Sequence, residues 1–319
     1  MGLNRAPEIL SSRAIQGMFW EEIGKLDADQ SSLLNRIAFA AQSDQAAEQY
    51  GWLGQVPKMK EWIGERQLAK LAASDYTIKN KHFEASLNIA VKDLRRDKTG
   101  QIRSRIADLA TSASMHMYEL IIDLMKAGAA TACYDGQFFY DTDHAEGESG
   151  TQDNDLALTT VSSATPTEVE LAGIIKSMLA AIYGFKDDRG RAMNRTARQF
   201  VLVTPVSYWG TALAAVNNQI IGGAANSATS NPLKNLPANI EVVSEPELGA
   251  AKTLYLHRTD ARMKPFIAQR ETDSMQIKSK AEGSEYEFDT DHHAHGVDEW
   301  HNAGYGLWQY SVLATVADA

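Results

Sequence analysis

Between Gln101 and Ala127, apolar residues recur at spacings of three and four: Ile102, Ile106, Leu109, Ala113, Met117, Leu120 and Leu124, with Gly128 as the stop. That period belongs to an amphipathic α-helix and not to a strand. At 1.5 Å per residue the helix is roughly 40 Å long. A stripe of that length needs a broad apolar partner, so the helix can serve as the spine of a flat subunit. The chain has 319 residues, more than one typical domain, which implies two lobes sharing contacts or one domain with long excursions.

Several function classes are excluded early. Hydrophobic residues make up 44% and charged residues 23%, the profile of a folded globular chain. No run of about 18 apolar residues occurs, and the opening MGLNRAPEIL has neither a signal-peptide nor a membrane-anchor pattern, so a cytosolic origin is expected. The lone cysteine, Cys133, has no intrachain partner and reads as a small buried hydrophobe. The net charge of −10 disfavours a broad nucleic-acid-binding face. Its distribution says more. Between Val56 and Arg105 stand twelve Lys/Arg against six Asp/Glu, while Asp135 to Asp155 holds seven acidic residues without a Lys or Arg, and Glu282 to Glu299 repeats that imbalance. Such segments are either solvated loops of independent sign or complementary surfaces by which copies of the chain attract each other.

The remaining pattern is mixed. Arg5 to Leu26 and Gln30 to Gln42 read as two short amphipathic helices with few anchors, an arm in need of a partner. Tyr50 to Arg66 is irregular and aromatic. Tyr76 and Ile78 alternate before Asn80-Lys81, and Phe83, Ala85, Leu87 and Ile89 alternate after it, which predicts a long hairpin whose polar alternate positions leave it marginal alone. A polar linker runs to Ala164. Thr165-Pro-Thr-Glu168 carries helix-start residues, and Val169, Ala172, Ile175, Leu179 and Ile182 form the stripe that follows. A buried strand at Phe200 to Pro205, a helix at Ser207 to Asn217, and strands at Ile240 to Ser244 and Thr253 to His257 predict an α/β lobe. Past Pro265 the chain turns strand-rich and ends in an alternating Gly304 to Val316 that can close a sheet.

Catalytic chemistry is nearly absent from the pattern. No GxxxxGK[ST], GxGxxG after a strand, GxSxG or HExxH occurs. Asp141-Thr-Asp-His144 and Asp289-Thr-Asp-His-His-Ala-His295 are the only clusters with metal-ligand spacing: on a strand, Asp141 with Asp143, or Asp291 with His293 and His295, share a face. The plainer reading is polar surface, with His116 and His144 as structural histidines. No cofactor and no metal are expected.

Six segments carry a resemblance: Tyr50-Gly-Trp-Leu-Gly-Gln, Glu61-Trp-Ile-Gly-Glu-Arg66, Tyr76-Thr-Ile-Lys-Asn-Lys-His-Phe-Glu84, Ala132-Cys-Tyr-Asp-Gly-Gln-Phe-Phe, Asp141-Thr-Asp-His144 and Asn302-Ala-Gly-Tyr-Gly-Leu-Trp-Gln309. In this order they resemble the Mu-like major head subunit family, gpT, from about Tyr50 to Gln309. The resemblance implies an α+β fold of the Hong Kong 97 phage capsid type. Its parts would be an N-terminal arm over 1–55, an extended hairpin loop and its base over 56–100, a peripheral domain with the spine helix over 101–164, an axial domain over 165–263, and a return with a closing strand to the peripheral domain over 264–319.

It also implies a non-enzymatic major capsid protein of a tailed phage or Mu-like prophage. Such a protein assembles in the bacterial host cytoplasm into hexamers and pentamers of an icosahedral shell around packaged double-stranded DNA, with scaffold, head-maturation protease and portal proteins as partners. Trp52, Trp62, Arg66, Tyr76, Lys79, Lys81, Phe83 and Glu84 are the expected inter-subunit contacts. Gly51, Gly54, Gly64, Asp141, Asp143, His144, Gly304, Tyr305, Gly306 and Trp308 are the expected structural motif. Lys79, Asn80 and Lys81 sit near the expected hairpin tip, but no carboxylate identifiable in the sequence would catalyse a Lys–Asn crosslink, so none is expected. The acidic tract Glu282 to Asp291, followed by His292-His293, departs from the family pattern. Two rivals are an encapsulin-like nanocompartment shell and a metal-dependent hydrolase built on Asp141, Asp143 and His144 or on His292 to His295.

Overall fold

A computed structural model describes residues 11–51, 76–96, 100–222 and 228–319, without the side chains of 26–32 and 228. In chain order the elements are α1 (Ser12–Ile37), β1 (Ala38–Ser43), β2 (Ala47–Gln49), β3 (Thr77–Lys79), β4 (Lys81–Ala90), α2 (Val91–Arg96), α3 (Gln101–Ala127), β5 (Asp155–Thr160) and α4 (Glu168–Gly184). There follow β6 (Gln199–Thr204), α5 (Val206–Asn217), β7 (Ile220–Gly222), β8 (Ala228–Ser230), β9 (Asn239–Ser244), β10 (Thr253–Arg258), β11 (Phe266–Glu271), β12 (Gln276–Lys280), α6 (Glu285–Thr290), β13 (His292–Tyr305) and β14 (Ser311–Asp318).

The spine helix occupies the predicted residues, and two separate cores use it. Ile102, Ile106 and Ala110 meet Ile15, Phe19 and Ile23 of α1, together with Ile89, Leu94 and Val297. One end of the rod is thus packed by the first helix. Further along, Met117, Ile121, Ile122 and Met125 enter the main core with α4, β6, β10, β14 and Trp308. The buried stripe is rotated from the one predicted: Ala110, Ile121, Ile122 and Met125 are buried, and Leu109, Ala113, Leu120 and Leu124 only partly so.

Two sheets carry the fold. In the first, the 14-residue β13 pairs with β4 on one side through His292 to His301. On the other side it pairs with β12 through Ala294 to Asp298 and with β11 through His301 to Tyr305, while β1 runs parallel to β11. The second sheet has the order β5-β14-β10-β6-β9. Its central strands are fully buried runs such as Phe200 to Thr204 and Leu254 to His257, as expected for strands covered on both faces.

Four expectations are corrected. The first arm is one helix followed by β1 and not two helices; no glycine or proline stands between Leu26 and Gln30 to stop it, and its stripe is covered by α3 within the same chain. β3 and β4 do not pair with each other: β3 pairs with β2 and β4 with β13, so Asn80 is a junction between two ladders and not a hairpin tip. Helix α4 starts two residues later than predicted, with Thr167 as N-cap and Glu170 completing a capping box, because these two side chains satisfy each other's backbone N–H groups. The terminal strand β14 lies between β5 and β10 of the second sheet, where Val312, Leu313, Ala314 and Val316 all enter the main core. The expected linker before Ala164 contains β5, which joins that same sheet.

Candidate functional site

Three of the six quoted segments converge on one buried knot. His144, with no exposed surface, stacks on the fully buried Trp308 at 4.0 Å and points Nδ1 at Asp135 Oδ2, 2.8 Å away. Cys133 Sγ and the Gln137 backbone N–H both donate to Asp135 Oδ1 at 3.1 Å. Burial raises the pKa of the Asp135 carboxyl, but its bonds from His144 and Cys133 outweigh that and hold it below the ordinary carboxylate range. Burial and the neighbouring Asp135 push the Cys133 thiol far up, which disfavours its thiolate form. Beside them, the Tyr134 hydroxyl donates to Glu146 at 2.6 Å and receives the Gln309 amide at 2.9 Å. Asn154 accepts from the Asp141 backbone and donates to Phe139 O, both at 2.8 Å.

Asp141 and Asp143 lie in a loop, not on a strand. Asp141 accepts the backbone N–H groups of Phe138 and Thr142, and Asp143 accepts the Gln137 amide at 2.9 Å. Each carboxylate is turned to a local donor instead of toward a common centre. Among the described residues no group of three or more His, Cys, Asp or Glu is arranged to hold a metal ion.

The glycine-aromatic segment has an equally local reason. A Cβ on Gly304 would collide with Ile78 of β3, and one on Gly306 would meet the backbone of Lys264 and Pro265. Tyr305 donates its hydroxyl to Leu124 O of the spine at 2.9 Å, stacks on Phe139 at 4.5 Å, and gives its backbone N–H to the Tyr76 hydroxyl at 2.8 Å. At Gly51, by contrast, a Cβ would meet nothing within 4 Å.

Of the expected contact residues, Trp52, Trp62 and Arg66, and likewise Gly54 and Gly64 of the motif, lie outside the described residues. Tyr76 and Phe83 are engaged within the subunit: Tyr76 props Tyr305, and Phe83 packs against His116 at 4.3 Å and His301 at 4.7 Å. These two histidines bridge spine and sheet, with 2.7 Å between His116 Nδ1 and His301 Nε2. Lys79, Lys81 and Glu84 are exposed. Along β4, which carries Lys81 and Glu84, no strand pairs with the outer edge among the described residues.

One row of exposed apolar residues was missed in the sequence. On α5, Val206, Trp209 and Leu213 are all exposed, at spacings of three and four, while Tyr208, Ala212, Ala215 and Val216 are buried on the opposite side. Ile220 and Leu236, exposed on segments beside the end of α5, extend the apolar character; Asn231 anchors that region by donating to Ala215 O and Asn218 O at 2.7 Å. The signal was present: Val206, Trp209 and Leu213 recur at helical spacing opposite Tyr208, Ala212 and Ala215, so the helix is apolar on both faces.

A family model for the Mu-like prophage major head subunit gpT matches residues 14–168 and 228–317. The chain belongs to the Mu-like gpT major head subunit family. Among the relatives of this gpT-family chain, the major capsid protein of Escherichia phage Mu is 38% identical over 116 residues, 36% of this chain and 38% of that protein. The Mu-like prophage FluMu major head subunit of Haemophilus influenzae is 37% identical over 139 residues, 43% of this chain and 45% of that protein. The matched segments thus span less than half of either relative.

Among solved structures, the procapsid of bacteriophage JBD30 matches at 25% identity and a TM-score of 0.55, covering 95% of this chain and 74% of that one. The virus-like particle of Pyrococcus furiosus, 10% identical, shares the fold alone at a TM-score of 0.52, with 95% and 98% covered. The gpT chain therefore has the α+β Hong Kong 97 capsid fold. Asp141-Thr-Asp-His144 and Gly304-Tyr-Gly-Leu-Trp308 come together in it as the joint between its two sheets.

Proposed function

We propose that this chain is the major capsid protein of a Mu-like phage or prophage head, acting by self-assembly and not by catalysis. The observation that carries this reading is the exposed Val206-Trp209-Leu213 face of α5, presented by a chain of the gpT family. Large apolar side chains in one row are stabilised by a partner that removes them from water, at about 25 cal/mol for each Å² buried. In a shell the partner at hand is another copy. Closed symmetry then multiplies contacts that are individually weak.

In this reading the 165–263 region forms the capsomer centre, and the 56–100 region, with the β4 edge that no strand pairs among the described residues and its Lys81 and Glu84, reaches a neighbour. The shell encloses packaged double-stranded DNA in the virion, after assembly in the host cytoplasm with scaffold, maturation protease and portal proteins. The family match favours a phage head over a nanocompartment. The dispersed hydrogen bonding of Asp141, Asp143 and His144 gives the hydrolase reading no support.

Negative-stain microscopy of the overexpressed chain tests this. Shells are expected from the wild type, and Trp209→Ser/Leu213→Ser is expected to abolish them while the melting temperature of the subunit is unchanged. A wild-type chain that stays monomeric at every concentration, salt and pH tried would refute the proposal.

A further inference from the structure

Within the acidic tract Glu282 to Asp291, residues Glu285–Thr290 form α6, a platform for one aromatic side chain. Phe288 is 91% exposed, with Glu285 and Asp289, three residues before it and one after, exposed on the same side. The rest of α6 is tied down. Ser284 caps its start, and Glu287 accepts from Gly283 N at 2.7 Å and lies 3.1 Å from His293. Tyr286 lies under the Lys280 ammonium at 6.0 Å, and Asp291 closes the helix in the left-handed region at φ 54°. The knob is therefore held in place before any partner arrives, which lowers the entropy lost on contact.

Directly beside this knob the sign reverses. The Val91 backbone N–H donates to Asp291 O at 3.0 Å, so α2 begins where α6 ends, and its Lys92, Arg95 and Arg96 are exposed. Among the described residues none of Glu285, Asp289, Lys92, Arg95 and Arg96 is in an ion pair. One end of the first sheet thus presents an acidic, aromatic-tipped helix beside a helix with three exposed cations and one exposed carboxylate, Asp93, and Arg95 is near enough to Glu287 to help lower that carboxyl's pKa.

We infer that this end is a contact between copies of this chain, in which the Glu285-Phe288-Asp289 face of one copy seats against Lys92, Arg95 and Arg96 of the next. Charge complementarity selects the occupant. Each copy carries both halves, so a second copy offset along the same edge matches sign to sign, and Phe288 lies over the aliphatic and guanidinium parts of the arginines. The contact rests on the shell reading above but is separate from the α5 face.

The test compares the full-length wild type with Glu285→Arg/Asp289→Arg, with Arg95→Glu/Arg96→Glu, with all four changes in one chain, and with Phe288→Ser. Self-association is followed by sedimentation velocity over a concentration series, and folding by thermal unfolding. Each two-residue reversal is expected to raise the concentration needed for association at least about tenfold, and the four-residue swap to return it to within about threefold of wild type. Folded reversals that associate like wild type, or a swap no better than its halves, overturn the inference.

Should a reversal fail to fold, Phe288→Ser and a salt titration of the wild type decide: association indifferent to both overturns the contact, and association weakened by both supports it. Lost binding to some other head protein with self-association intact overturns the choice of a second copy. Shells that form normally in all variants leave the shell reading standing and remove only this contact, whereas a wild type that never associates removes both.

Discussion

His257 has no exposed surface, and its Nδ1 lies 3.0 Å from the Ser311 hydroxyl at the centre of the second sheet. Burial pushes its pKa down to about 3 from the ordinary 6.5. An unfolded chain takes up this proton near pH 6.5 and the folded chain only near 3, so between those values the unfolded state binds more protons. Stability contributed by the neutral imidazole is complete above pH 6.5 and falls as the pH drops, by up to about 1.4 kcal/mol per pH unit. His116 and His295 are lowered by burial in the same direction. Urea unfolding of the subunit is expected to show midpoints declining from pH 6.5 to 5, with a shallower decline in His257→Gln; equal slopes would sink the assignment.

Gly306 gives a second residue-scale expectation. Its missing Cβ is replaced by the Lys264 carbonyl, a backbone atom that cannot step aside, so Gly306→Ala should cost about 1–3 kcal/mol by denaturant unfolding. The motif residues around it were visible in the sequence as a resemblance. Their reasons were not, because the Trp308–His144 stack and the Gly306 approach join residues far apart in the chain.

Among elements, α3 was the most legible, since a periodic stripe with a glycine stop depends only on neighbours along the helix. Its burial of Ile106 against α1 predicts that Ile106→Ala destabilises by about 2–4 kcal/mol, and that combining it with Phe19→Ala costs a different amount from the sum, because the two side chains share one cluster. Double-mutant unfolding data would check both. Strand pairing was less legible. Alternation shows that Tyr76–Ile78 and Phe83–Ile89 are strands, but it does not choose their partners, and the local hairpin lost to β2 and to ten residues of β13. The α1 stripe was likewise seen as unpartnered only because its cover, α3, lies some eighty residues downstream.

For the whole molecule, the closure of Asn80 bears on covalent crosslinking. Its amide donates to Ser43 Oγ at 3.1 Å and Gln45 O at 2.9 Å, and its Oδ1 accepts from Gln269 at 2.6 Å. An amide so enclosed is not presented to a lysine of another copy. Assembled particles boiled in SDS should therefore run as one band at 35.0 kDa, and a ladder would contradict this. The exposed α5 row was not singled out beforehand, because apolar spacing marks a helix without telling which of its apolar faces the subunit itself covers.

The position of β14 sets an order in time. β5 joins its sheet only through β14, which is made about 150 residues later, so through most of synthesis that lobe is an open-sided layer with an empty slot. A chain without β14 would leave β5 with no partner strand among the described residues and one edge of β10 unpaired, so a single strand holds two ladders of that sheet together.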